Sequence, residues 1–146
     1  FWSNPQLGLT IPAAAGTLAL LSVVIAGLPT GATVLHAKVL LTSRIIDNLN
    51  VALNKLDGAT VAATSQVIQI KKGAGAWVDA ITFLDDQFSI AGSTREGGSV
   101  VVSAVDLAAT VTGNDTYTFQ WLLAKADLAS LYFQGVNMVI QLDYTL

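Results

Sequence analysis

Apolar and polar residues alternate one by one in three segments of this 146-residue chain. Segment 116–121 places three aromatic residues on one parity: Tyr117, Phe119 and Trp121. Segment 136–145 does the same with five apolar residues: Val136, Met138, Ile140, Leu142 and Tyr144. Segment 33–45 follows the pattern with another five: Leu35, Ala37, Val39, Leu41 and Ile45. A period of two is typical of strands that bury one face, so we predict a strand in each segment.

Upstream of these, segment 18–25 is a continuous apolar run rich in β-branched residues. Pro12, Gly16, Gly27 and Pro29 bracket it, whereas a membrane-spanning helix needs about 20 uninterrupted apolar residues. We therefore predict a buried strand and no membrane partner. The turn signal at 29–31 predicts that this strand and strand 33–45 form a hairpin.

The rest of the chain also favours strands. We predict strands at 61–71, 77–83 and 100–105, turns at 73–75 and 95–98, and a long loop or one short helix at 48–58. About eight short strands with no convincing long helix indicate an all-β fold, an antiparallel β-sandwich or barrel. In domain terms, we predict an N-terminal arm over residues 1–16 and a single β-sandwich domain over 17–146.

Composition excludes several kinds of site. Charged residues make up 12% of the chain, against about 25% in an average soluble protein. With no cysteine and a single histidine, the chain has neither a thiolate site nor a multi-histidine metal site. A net charge of −3 makes nucleic acid a poor partner, because phosphate contacts need a clustered basic face.

Candidate catalytic groups are sparse. His36 falls on the polar parity of its strand, and no serine lies in a Gly-x-Ser-x-Gly elbow, so we interpret His36 as a half-exposed strand residue. A glycosidase needs two carboxylates, whereas Glu96, the only glutamate, lies in a glycine-flanked predicted turn. We therefore predict a protein that is not an enzyme and that needs no cofactor.

Two surface hypotheses remain. Asp79, Asp85 and Asp86 form the densest acidic region and could hold Ca²⁺ or, with loop aromatics, a glycan, although a solvated loop is the simpler explanation. Trp77 and Trp121 fall in the apolar phase of their segments and are predicted as core residues. The motif Asn114-Asp115-Thr116 fits the N-glycosylation rule at a predicted hairpin tip, although a turn alone explains it.

The N-terminal segment FWSNPQLGL has no periodic pattern and resembles an arm rather than a strand. Exposed aromatic residues on an arm lower solubility unless a neighbouring subunit covers them. The residues predicted to make this subunit contact are the large apolar ones: Phe1, Trp2, Leu7, Leu9 and Ile11.

Four segments together carry a resemblance: AGLPTGATV, FLDDQFSIAGSTREGG, GNDTYTFQW and VNMVIQLDY. With the neutral N-terminal arm, they resemble the single β-sandwich domains of virion surface proteins, the decoration, minor-capsid and fibre-head proteins with a jelly-roll topology. The resemblance implies a structural subunit at a virion or extracellular surface. It also implies a homo-oligomer, as a trimer or a lattice, in contact with other capsid or fibre proteins. It transfers no catalytic or ligand residue. The alternative function is a carbohydrate-binding or adhesin module.

Overall fold

The computed structural model describes residues 1–10, 15–47, 65–84, 96–124 and 131–146. Over these ranges the chain forms nine strands and no helix: β1 (Trp2–Thr10), β2 (Gly16–Ala19), β3 (Val23–Ile25), β4 (Thr33–Asp47), β5 (Ser65–Lys72), β6 (Val78–Leu84), β7 (Glu96–Val102), β8 (Asp115–Leu123) and β9 (Leu131–Thr145). The predicted all-β class and antiparallel β-sandwich are confirmed. No helix in these ranges has the length and apolar character that a membrane crossing requires.

The strands form two antiparallel sheets. The first sheet has the order β1-β9-β4-β7, and the second has the order β2-β8-β5-β6, with β3 also paired to β8. The pairing is nested along the chain: β1 pairs with β9, β2 and β3 with β8, β4 with β7, and β5 with β6. Successive strands therefore alternate between the sheets, except for the β5–β6 hairpin and the two segments β2 and β3, which share one sheet edge.

β2 and β3 act as one interrupted edge strand against β8. The amide of Leu20, between them, donates to the Phe119 carbonyl at 3.1 Å and continues the hydrogen-bond ladder. The hydroxyls of Ser22 and Thr118 lie 3.0 Å apart in the same gap. The apolar run 18–25 is thus strand-like, as predicted, but it is a half-buried edge strand and not a fully buried one, because Leu21 and Val24 are exposed.

Side chains from the inner faces of both sheets fill the core. On β8 the predicted alternation is confirmed, because Tyr117, Phe119 and Trp121 are all buried. The Trp121 ring meets Phe83 edge to face, with the ring centroids 5.5 Å apart. The first sheet contributes seven buried side chains to the same core: Ala37, Val39, Leu41, Val101, Val136, Met138 and Ile140.

One buried polar residue supports this packing. Gln66 lies on the inner face of β5 with no exposed surface. Its Oε1 accepts hydrogen bonds from the Trp121 indole and from the Ala124 amide, both at 3.2 Å. The buried indole N–H and the last amide after β8 are thereby satisfied, and loss of the partner of the buried indole would cost about 1–3 kcal/mol.

The predicted hairpin between 18–25 and 33–45 is wrong. The turn itself is present, with Ala32 donating to the Pro29 carbonyl at 3.1 Å and Gly31 at a φ of 86°. However, β3 pairs with β8 in the second sheet and β4 pairs with β7 and β9 in the first. The turn therefore carries the chain across the sandwich, a step that local turn chemistry does not distinguish from a hairpin.

The predicted turn at 95–98 and the predicted arm at 1–16 also need correction. Backbone pairing places Glu96 in β7, opposite Ile46 of β4. In the arm, Trp2–Thr10 is the edge strand β1, paired along β9. An edge strand tolerates Pro5, which has no N–H to donate, and its exposed flank weakens the alternation that sequence patterns detect.

A β-bulge corrects one further prediction. The β5–β6 register shifts between Ile68 and Gln69, and as a result adjacent Ala80 and Ile81 are both buried. The extra residue moves the side chains that precede it to the opposite face of the sheet. Trp77 is therefore only half-buried instead of lying in the core.

Three described connections and both chain termini gather at one end of the sandwich. Residues 26–32, 73–77 and 103–114 connect strands there, close to the start of β1 and the end of β9. Lys72 links two of them through Thr112 at 2.6 Å and Asp115 at 3.9 Å. We call this region the turn end.

Candidate interaction surfaces

A side-chain amide joins two connections of the turn end. Asn114 Oδ1 accepts from the Leu28 amide at 3.0 Å, and Asn114 Nδ2 donates to the Leu28 carbonyl at 3.1 Å. The side-chain amide thus makes the same pair of hydrogen bonds to Leu28 that a backbone residue makes in an antiparallel ladder. A glycan on this predicted acceptor asparagine would be attached to the side-chain nitrogen. In the structure the same nitrogen makes a hydrogen bond that holds two connections together.

The chain after β7 continues along the edge of β4 without being a regular strand. The Ser103 amide donates to the Val39 carbonyl at 2.8 Å, and the Ser103 hydroxyl accepts from the Val39 amide at 3.0 Å. Farther along, the Leu107 amide donates to the Ala37 carbonyl at 2.9 Å. The segment therefore covers an edge that would otherwise have unpaired backbone groups.

Asp106 fixes the same segment with its carboxylate. It accepts from the Ala37 and Ala108 amides, both at 3.0 Å, and lies 2.5 Å from His36 Nδ1. These contacts, the Ala37 amide first and then His36, lower the pKa of Asp106 from 3.8 to about 2. His36 is 67% exposed in β4, as its polar parity predicts, and its described contact is structural.

Tyr117 closes the segment from inside the core. Its hydroxyl donates to the Gly113 carbonyl at 2.8 Å and accepts from the Gly113 amide at 3.3 Å. Burial raises the pKa of Tyr117. The turn end is thus held by paired polar groups, and it presents a fixed surface.

Exposed apolar side chains are present at this surface. Nine large apolar residues are exposed in the described part of the chain, and six of them lie at the turn end. We call these six the apolar rim: Phe1, Leu35, Val78, Val105, Tyr144 and Leu146. Leu35 is next to Val34, which pairs with Tyr144. Val105 is next to Asp106, which contacts His36, the residue after Leu35. Leu35, Val105 and Tyr144 are therefore neighbours. Large exposed apolar patches are typical of contact surfaces.

The residues predicted for subunit contact have different locations. Phe1 is 79% exposed and belongs to the apolar rim. Trp2 is half-buried against the core of its own subunit, and its indole donates to the Ala26 carbonyl at 3.2 Å. Leu7 and Leu9 lie in β1, where their backbones pair with Gly135 and Phe133 of β9. Ile11 lies outside the described residues.

The outer face of the second sheet has a polar row across adjacent strands. Gln69 of β5 stands opposite Gln120 of β8 on one side and Asp79 of β6 on the other. Gln120 Nε2 donates to Gln69 Oε1, and Gln69 Nε2 donates to Asp79 Oδ1, both at 2.7 Å. Sequence reasoning selected Asp79 but missed both glutamines, because their contact depends on the strand order.

Trp77 and Lys71 border this row. The Lys71 ammonium lies 4.7 Å from the centroid of the Trp77 ring. A cation–π contact at an exposed site is worth about 0.5–1 kcal/mol and restricts the ring orientation. Trp77, which the sequence pattern predicts to lie in the core, is therefore held at the surface.

The predicted calcium or glycan cluster is described only in part. Asp79 lies on the exposed row, whereas Asp85 and Asp86 fall outside the described residues. In the ranges that the structure covers, no group of three or more His, Cys, Asp or Glu side chains could hold a metal ion. The hydrogen-bonding neighbour of Asp79 is an amide, as expected for a site that recognises neutral polar groups.

Comparison with known proteins identifies no family. No protein-family model matches the chain, and no curated protein matches it significantly. Function must therefore be argued from the fold and these surfaces alone.

Proposed function

We propose that this chain is a non-enzymatic structural subunit of a virion surface or capsid-associated assembly, with the apolar rim in contact with neighbouring copies. The observation that supports the proposal most directly is that six large apolar side chains are exposed at an end of the sandwich that paired polar groups hold together. A monomer gains nothing from keeping such a surface in water, whereas a second copy would cover it.

The nested strand pairing supports the same proposal. Two four-stranded layers that alternate along the chain, closed by one central hairpin, support a jelly-roll topology when β2 and β3 are counted as one strand. Jelly rolls are common building units of viral capsids, although the fold alone does not imply the function. The connectivity is therefore an argument for the architecture of the subunit, and the rim is the argument for its assembly.

The composition of the rim favours a second copy of this chain as the partner. Its six residues carry no charged side chain, in a protein with only 12% charged residues. Interfaces between identical subunits are more apolar than other protein contacts, and most form closed symmetric oligomers. The proposal includes no site for nucleic acid or a membrane.

The test is the oligomeric state of designed variants. We expect the wild-type protein to sediment as an oligomer that dissociates on dilution. The triple variant Leu35→Ser, Val105→Ser, Tyr144→Ser should sediment as a monomer. The matched control is Leu21→Ser, because Leu21 is 39% exposed and lies between β2 and β3, next to Leu20, whose amide bonds to Phe119 in the middle of β8.

Far-UV circular dichroism should show the same β-sheet content in all three proteins, because exposed substitutions change stability by about 0.5 kcal/mol or less. An oligomeric control and a monomeric triple variant support the proposal. A wild type that remains monomeric at every concentration, or a triple variant that associates as the wild type does, contradicts it.

A further inference from the structure

We propose that the outer face of the second sheet binds a neutral oligosaccharide along the polar row of Gln120, Gln69 and Asp79, beside the exposed Ala19 of the edge strand. These residues occupy matching positions on β2, β8, β5 and β6. Four adjacent strands span roughly 14 Å at a strand spacing of about 4.8 Å, which is enough for a short sugar chain. The proposal concerns a face separate from the apolar rim.

The row is fixed before any ligand arrives. A carboxylate only accepts hydrogen bonds, so Asp79 obliges Gln69 to present its NH₂ group, and the Gln69 oxygen then faces Gln120. Both glutamine side chains are therefore oriented by a single carboxylate. A surface with this order loses little side-chain entropy when a ligand binds.

Each member of the row keeps unused hydrogen-bonding capacity. In the described contacts, one N–H of Gln69, one N–H and the oxygen of Gln120, and the second oxygen of Asp79 have no partner. Donors and acceptors thus alternate along the row. Neighbouring sugar hydroxyls can each donate and accept, and they fit this alternation, whereas a purely anionic or cationic ligand does not.

Charge and shape point to the same ligand class. Asp79 and Lys71 have opposite charges, so this face does not favour phosphate groups or nucleic acid. Trp77 is half-buried, and Lys71 restricts its ring at the border of the row. A restricted indole beside polar groups offers an apolar surface for the C–H groups of a sugar ring.

Binding is tested by titrating the full chain with neutral hexasaccharides, namely those of β-1,4-linked glucose, mannose, galactose and N-acetylglucosamine and of α-1,4-linked glucose. We expect at least one to bind and to shift the NMR signals of the Gln69 and Gln120 amides and the Trp77 indole. Gln69→Ala and Trp77→Ala should each weaken binding on the order of ten-fold.

The matched control is Gln141→Ala, which removes an outward-facing glutamine from β9 in the first sheet. It should bind as the wild type does, and thermal unfolding checks that all variants are folded. The proposal is overturned if none of the hexasaccharides binds, or if Gln69→Ala and Trp77→Ala bind at full strength. Sedimentation of the same samples separates this result from the assembly proposal.

Discussion

Replacing Trp2 tests whether the N-terminal residues belong to the fold of their own subunit. Removing a fully buried tryptophan side chain costs about 3–5 kcal/mol. Trp2 is half-buried against the core, so Trp2→Ala should lower the free energy of unfolding by about 2 kcal/mol, roughly half the buried value. Trp2→Phe keeps most of the packing and loses the hydrogen bond to Ala26, so it should lower that free energy by about 0.5–1.5 kcal/mol.

Urea unfolding of dilute protein is the appropriate measurement, with fluorescence of the buried Trp121 as the signal. Phe1→Ala is the matched control, because Phe1 is 79% exposed and its loss should change stability by about 0.5 kcal/mol or less. If Trp2→Ala unfolds at the wild-type urea concentration, Trp2 does not pack on its own subunit and β1 is misplaced in this account.

Two further predictions concern the contacts that hold the turn end. Asn114→Ala removes two hydrogen bonds to Leu28 and should lower the free energy of unfolding by about 1–3 kcal/mol, measured by urea unfolding; a wild-type midpoint would contradict the contact. The lowered pKa of Asp106 stabilises the fold above the ordinary value of 3.8, and this stabilisation should disappear as the pH falls towards about 2. Asp106→Asn should therefore show a weaker loss of stability than the wild type over that pH interval, and an identical pH dependence would refute this role.

Much of the sandwich could be predicted from alternation alone. The parity of Tyr117, Phe119 and Trp121 gave the inner face of β8, because one face of an antiparallel sheet packs on the core. The same reasoning failed for the β3–β4 connection. A turn at Pro29 produces the same local signal whether the next strand joins the same sheet or the opposite one.

The surfaces depend on long-range register, which a single sequence does not contain. Gln69 and Gln120 are 51 residues apart and meet only because β5 pairs with β8. Trp77 changes from a predicted core residue to a surface residue through one bulge, since a single extra residue at Ala80 moves the side chains before it to the opposite face. The role of Asp106 carries no sequence signal, because the Ala37 amide and the His36 side chain that it contacts belong to a strand about 70 residues away.

The structure also changes how the assembly hypothesis should be tested. Deleting residues 1–11 would remove β1 and the Trp2 side chain that packs on the core. Such a protein would lose stability as well as contacts, and its failure to assemble would have two explanations. Substitutions in the apolar rim avoid this problem, because the substituted side chains are exposed.

Hydrogen exchange of concentrated and diluted wild-type protein tests the central claim most directly. If copies meet through the apolar rim, amides at 34–36, 104–106 and 143–146 should exchange more slowly in the concentrated sample, and amides of β5 should be unchanged. Equal exchange in both samples, or protection confined to the outer face of the second sheet, would contradict assembly through the turn end.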